Sequence, residues 1–177
     1  MDEDAADRQS PTTTIAPRWM VLHTKARQEK AVARQLQAAG VVHDLPLVDR
    51  VTVTRGRKHR SSVPLFASYV FVYGENQHAY DAIASKRVVQ FIEVQDQERF
   101  EREMASIHAA IKSGMPIEEH HGIAIGHRVR VSKGPLAGVE GVVIDEARRS
   151  CLVLHVETLG RGASVEIERD LLESLQD

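Results

Sequence analysis

The chain has 177 residues, 42% of them apolar and 27% charged, and a single cysteine, Cys151. That length holds one domain or two small ones, and the composition is that of an ordinary globular protein. One cysteine excludes an internal disulfide framework, no apolar run reaches bilayer-spanning length and no basic-then-apolar leader opens the chain, so a cytoplasmic protein is expected.

The net charge of −2 is unevenly spread. Residues 1–16 hold one Arg against four acids, residues 17–112 hold fifteen Lys/Arg against ten Asp/Glu, and residues 113–177 hold seven against eleven. A mildly basic module thus precedes an acidic one. Such an excess permits nucleic-acid contact without requiring it.

Residues 1–16 are polar and Thr-rich, interrupted by Pro11, and are expected to be disordered. Arg18 to His23 reads as a strand. Thr24 is placed to cap a helix over 26–39, with Val32, Leu36 and Ala39 on one face and Gly40 as the stop. Val48 to Thr54 alternates as a strand and turns through Arg55-Gly56-Arg57 into a second arm. Val70 to Tyr73 is a further strand. A short helix over 76–84 would bury Ala79, Ile83 and Tyr80, and Val88 to Val94 is a strand again. Over 97–112, Phe100, Met104, Ile107 and Ile111 recur at helical spacing. The order predicts an α+β domain over 17–112, a sheet with helices on its faces.

Residues 113–123 carry the Gly, Pro and charge of a linker, and 124–177 show short strands at 127–132, 139–145, 151–157 and 163–168. Even spacing of such strands predicts a small β-barrel. In the run GHRVRVSKGPLAGVEGVV (126–143), Gly134 and Gly138 allow positive-φ turns and Gly141 allows close packing of the next strand. A Gly-rich hairpin turn is the bland reading of the same spacing. The run resembles a KOW domain, a five-stranded barrel of elongation factors and ribosomal proteins.

Trp19-Met-Val-Leu-His-Thr-Lys25, Gln28-Glu29-Lys30, Thr54-Arg-Gly-Arg57, Pro64-Leu-Phe-Ala-Ser-Tyr-Val-Phe-Val72 and Ala84-Ser-Lys-Arg-Val88 resemble the N-terminal domain of the NusG family. Two motif sets in that family's order cover residues 18 to about 175. The segment PLFASYVFV is similar to the specialised paralogues of RfaH type. The resemblance implies a transcription elongation or antitermination factor, monomeric, that grips the clamp helices of RNA polymerase's largest subunit and suppresses pausing or termination on specific operons. It places the polymerase pocket at His23, Phe66, Tyr69 and Phe91. Burial in a core is the alternative for most of these aromatics, whereas Phe66, just after Pro64, is expected at an edge. The resemblance also implies non-template DNA contact by Lys25, Arg27, Gln28, Ser85, Lys86 and Arg87, although Arg87 stands where a small residue is expected. From spacing alone these are two solvated charge runs. Arg55, Arg57, Lys58 and Arg60 read as a solvated hairpin tip. In the turn Thr158–Gly162, Leu159 and Arg161 occupy the place where housekeeping members present an aromatic to a small-subunit ribosomal protein or to Rho. Leucine there leaves the ribosome as a partner and disfavours Rho.

Gly and Pro at 134, 135, 138 and 141 oppose refolding of the second domain into helix, so a constitutive barrel is expected. No cofactor is implied. His120-His121 is adjacent rather than spaced, with no cysteine pair, so no metal site is expected. Cys151 reads as a buried small hydrophobe. No catalytic constellation has supporting spacing, and an enzyme would need a concave pocket with shifted titratable groups. The rival readings are a housekeeping factor coupled to Rho or the ribosome, and an RNA- or ribosome-binding protein that acts without polymerase.

Overall fold

The structure, a computed structural model, describes residues 16–146 and 149–175. The expected disordered tail, apart from Ala16, lies outside these residues, as do the side chains of Ala79, Tyr80 and Ile83.

The first domain is organised by β1 (Arg18–Thr24). It pairs antiparallel with β5 (Tyr69–Gly74) on one side and β6 (Val88–Glu93) on the other, and β2 (Val42–Asp44) extends the sheet beyond β5. Side chains alternate across a strand, so Met20 and Leu22 face the same way as Val70 and Val72. These residues pack with Val32, Leu36 and Ala82 of α1 (Glu29–Ala38) and α2 (Asn76–Ala84). Trp19, Val21 and Phe71 face the other way, against Phe100, Met104 and Ile107 of α3 (Gln97–Lys112). Helices therefore cover both faces. Each fully buried side chain of this size contributes about 1.5–3 kcal/mol.

The ends of α1 differ from expectation. Thr24 stays in the strand, buried, and its hydroxyl donates to the Lys25 carbonyl at 3.0 Å; Gln28 precedes the helix without a side-chain cap. Strand pairing to Val88 outcompetes capping at Thr24. Ala39 is exposed, past the helix end. By contrast α3 is capped by Asp96, whose carboxylate accepts the Arg99 N–H at 2.9 Å. Its first residue, Gln97, clasps β1: the side-chain oxygen accepts the Trp19 N–H at 2.7 Å and the amide donates to the Trp19 carbonyl at 3.0 Å.

Between β2 and β5 stands a separate two-stranded ribbon, β3 (Leu47–Thr54) and β4 (Arg57–Pro64), joined by Arg55-Gly56 with φ of 52° and 76°. Positive φ at both central residues is the geometry of a tight hairpin turn.

The segment expected to be a linker is partly strand. β7 (Ile117–His121) pairs antiparallel with β11 (Arg161–Glu166) and completes a six-stranded sheet, one strand more than expected. Its order is β12 (Leu172–Ser174), β8 (His127–Val131), β9 (Glu140–Glu146), β10 (Arg149–Val156), β11, β7. Polar Glu118-Glu119-His120-His121 hid this strand: only Ile117 carries an apolar signal. Gly141 is required by packing, since a Cβ there would lie 2.7 Å from the Val153 carbonyl oxygen. Gly138, at φ 86°, donates its N–H to the Val131 carbonyl at 2.7 Å and closes the loop over buried Leu136. Cys151 is half-buried rather than buried.

Candidate functional site

Two places in the first domain gather the residues that the resemblance singled out. The first is the sheet face opposite α1 and α2. His23 and Tyr69 are cross-strand partners, and their rings stack at 5.1 Å with planes 21° apart. Next to them Phe71 meets Phe66 edge-on at 6.1 Å and Phe100 at 5.5 Å. The turn that presents Tyr69 is pinned. Ser68 has φ 68°; its N–H donates to the Glu29 carboxylate at 2.7 Å, and its carbonyl accepts the Thr24 N–H at 2.8 Å. A non-glycine residue at such a φ costs of order 1 kcal/mol, and the buried carboxylate offsets it.

Two expected pocket residues are placed otherwise. Phe66 is not at an edge: it is 1% exposed, tucked beside Leu65, whose N–H bonds the Pro46 carbonyl. Its truncation would open a cavity costing about 3–5 kcal/mol and would report on folding before docking. Phe91 pairs with Leu22 and therefore lies on the face covered by α1 and α2, away from His23 and Tyr69. Register decides this, and register is not legible from a single strand's composition.

The second place is a basic corner. The Lys25 N–H bonds the Arg87 carbonyl at 2.8 Å, so the loop after β1 and the loop before β6 are laced together. Lys25, Arg27, Lys86 and Arg87 are exposed there, with Gln28 and Ser85 half-buried beside them. Arg27 and Lys86 adopt φ of 64° and 60°. Ser85 Oγ donates to the Ala82 carbonyl at 2.6 Å and shapes the turn. None of the four cations has an ion-pair partner among the described residues. All six expected DNA-contact residues thus fall at one corner, which spacing alone did not require.

The second domain brings its own candidate tip onto the first site. The turn Glu157–Leu159 ends at Gly160 with φ 59°, and Leu159 is half-buried, packed on the shared apolar cluster rather than exposed. Arg161 holds its guanidinium 5.1 Å from the centre of the Tyr69 ring. It also donates to the Glu119 carboxylate at 2.7 Å, and that hydrogen bond chiefly raises its pKa above the ordinary arginine value. Arg99 pairs with Glu157, and Glu103 accepts the Glu157 N–H at 3.1 Å. Glu119, Arg99 and Glu103 were not singled out from sequence. Glu119 lay in the supposed linker, and the other two read as the solvated side of α3.

An open cleft between α3, β9 and β10 is lined by Arg99, Arg102, Glu103, Arg128, Glu140 and His155. Burial raises the Glu103 pKa and lowers that of His155. Glu103 is already held by Arg99 and the Glu157 N–H, and His155 takes the Ala124 N–H at 3.2 Å. Among the described residues no cluster of three His, Cys, Asp or Glu has metal-binding geometry, and no helix is long and apolar enough to cross a membrane.

A four-stranded antiparallel sheet with helices on both faces, followed by a six-stranded antiparallel sheet, makes an α+β protein whose N-terminal part carries an aromatic face and a basic corner. Residues 17–110 match the family described as transcription termination factor nusG, and the chain belongs to the NusG family of transcription elongation and termination factors. No curated protein matches the chain.

Proposed function

We propose that the chain is a transcription elongation factor, of the specialised RfaH type, that binds the clamp helices of RNA polymerase and suppresses pausing or termination on specific operons. The observation that carries this reading is the stacked His23–Tyr69 pair on a rigid sheet face, in a domain matched to the NusG family. Rigid aromatic anchors backed by a packed core are the residues that dominate interfaces, at roughly 2 kcal/mol or more on truncation. Phe66 and Phe71 serve behind them as the packed backing. No bond is made or broken. The factor acts by binding the pause-free state of polymerase better than the paused one, and only to the extent of that difference.

The basic corner suits a single-stranded DNA segment: Lys25, Arg27, Lys86 and Arg87 would meet phosphates, and Gln28 and Ser85 offer amide and hydroxyl groups to base edges. The second domain, read as a KOW barrel, would contact a small-subunit ribosomal protein through Leu159. A cytoplasmic monomer fits all three roles.

The test is binding of the full chain to a purified clamp-helix fragment of polymerase. Tyr69→Ala is expected to weaken it at least tenfold, about 1.4 kcal/mol. Arg161→Ala, which uncovers Tyr69, is expected to strengthen it. Absence of binding by wild type and Arg161→Ala alike, with both folded, would reject polymerase docking. It would leave the RNA- or ribosome-binding reading of the second domain.

A further inference from the structure

The ribbon β3–β4 takes no part in either site described above. Every residue from Asp49 to Ser62 is exposed, Val51 and Val53 at 54% and 64%. Among the described residues the two strands pair with each other and with no other strand. An isolated two-stranded ribbon is marginal in water by itself. This one is anchored at its base, where Val48 is buried and Lys30 Nζ donates to the Ser62 carbonyl. Within 49–62 stand five cations, Arg50, Arg55, Arg57, Lys58 and Arg60, against the single acid Asp49. None of the five has an ion-pair partner among the described residues.

Register distributes those charges. Val51 opposes Arg60 and Val53 opposes Lys58, so one face carries two valines and two cations, with Asp49 opposite Ser62 at its base. Thr52 opposes His59 and Thr54 opposes Arg57; with Arg50 they make the other face, threonine and cation again. Arg55 sits at the tip. Both faces are therefore cationic, with small apolar or hydroxyl side chains between the charges.

We propose that this ribbon binds double-stranded B-form DNA by entering its major groove. Three features select that partner. A flat acidic protein surface engages one face of a ribbon, whereas a groove presents phosphates along both of its walls. Paired strands lie about 4.8 Å apart, and a major groove about 12 Å wide admits a two-stranded ribbon. A single strand tracks one charged groove or face and would leave the cations of the ribbon's other face without phosphates. The A-form RNA duplex has a major groove too narrow for side chains to read. The valines and threonines between the cations would lie against base edges, and the thymine methyl is their natural contact. This inference does not rest on polymerase docking.

The experiment measures full-chain binding to a fluorescein-labelled DNA duplex by anisotropy across a salt series, with the single strand of the same sequence alongside. Each phosphate contact contributes about −0.9 to the slope of log K against log salt. Removing two cations from either face, Lys58→Ser with Arg60→Ser or Arg50→Ser with Arg57→Ser, is expected to flatten the slope by about 1.8. Asp49→Lys is expected to tighten binding and steepen the slope, a gain that misfolding cannot imitate. Lys25→Ser with Arg87→Ser, at the basic corner, should leave the ribbon-dependent part intact. Ribbon substitutions that weaken single-strand binding as much as duplex binding, dependence on one face alone, or a slope unmoved by the ribbon substitutions would each overturn the proposal.

Discussion

Replacing Arg161 by alanine separates the two things this side chain does. Its link to Glu119 joins β11 to β7 inside the second domain, with the two side chains 30% and 10% exposed. Losing a hydrogen bond to a charged group costs about 1.5–3 kcal/mol, because the carboxylate stays poorly solvated. Its contact with Tyr69 joins the two domains, at 5.1 Å from the ring centre. A half-desolvated cation over a tyrosine face contributes about 1 kcal/mol. The first quantity is paid within one domain and the second between two, so a double-mutant cycle isolates the second. Arg161→Ala and Tyr69→Leu, singly and together, are to be followed by urea unfolding with Glu119 left in place. A coupling energy of about 1 kcal/mol is expected. The same variants should shift the balance between domains in contact and domains apart by about fivefold, read as a larger radius of gyration in solution scattering. Coupling below about 0.2 kcal/mol, with no change in scattering, would refute the assignment of Arg161 as an interdomain contact.

Glu29→Ala should lower stability by about 1–3 kcal/mol, because it strands the Ser68 N–H in a buried turn; chemical denaturation measures it. Gly141→Ala forces a methyl against the Val153 carbonyl and Leu152, an overpacking cost of about 1–3 kcal/mol, visible as a lower Tm with the strand content of the circular dichroism spectrum retained below it. His108 on α3 bonds the Asp44 carboxylate of β2 at 2.6 Å, and that hydrogen bond raises its pKa above 6.5. A raised folded pKa means stabilisation fully present below pH 6.5 and lost as pH climbs through the folded value. Half exposure keeps the effect below about 1 kcal/mol, and His108→Gln should abolish that pH dependence in a denaturation series.

Elements with a strong local signal were legible before any coordinates. The α3 helix announced itself through Phe100, Met104 and Ile107, and all three are buried. The hairpin turn followed from Arg55-Gly56, and the loop glycines from their spacing. What failed depended on pairing. β7 is nearly all polar, so its strand state comes from hydrogen bonding to β11 and not from its own side chains. Thr24 carries good capping chemistry, yet its register with Val88 and its bond to Ser68 hold it in the sheet. Phe91 and His23 look equivalent as ring-bearing strand residues, and only cross-strand register assigns them to opposite faces. The basic corner was visible as two separate charge runs, but their meeting needed the Lys25–Arg87 backbone bond.

On the proposed function, the placement of Leu159 and Arg161 makes each domain's binding role incompatible with the interdomain contact. The same turn that would meet a ribosomal protein lies on the face that would meet polymerase. Each partner therefore competes with the interdomain contact and benefits when the other removes it. The contact is built to be exchanged: Arg99–Glu157 is an exposed ion pair, with side chains 48% and 62% accessible, and such pairs contribute at most about 1 kcal/mol. A state held closed by a few kcal/mol lowers the apparent affinity of a ligand by the fraction of molecules open, and the first partner bound lifts that penalty for the second. Polymerase and ribosome binding would then show positive cooperativity without touching each other. It should shrink in Arg161→Ala, where about 1 kcal/mol of that penalty is already removed. Cooperativity of equal size in wild type and variant would require a different link between the domains.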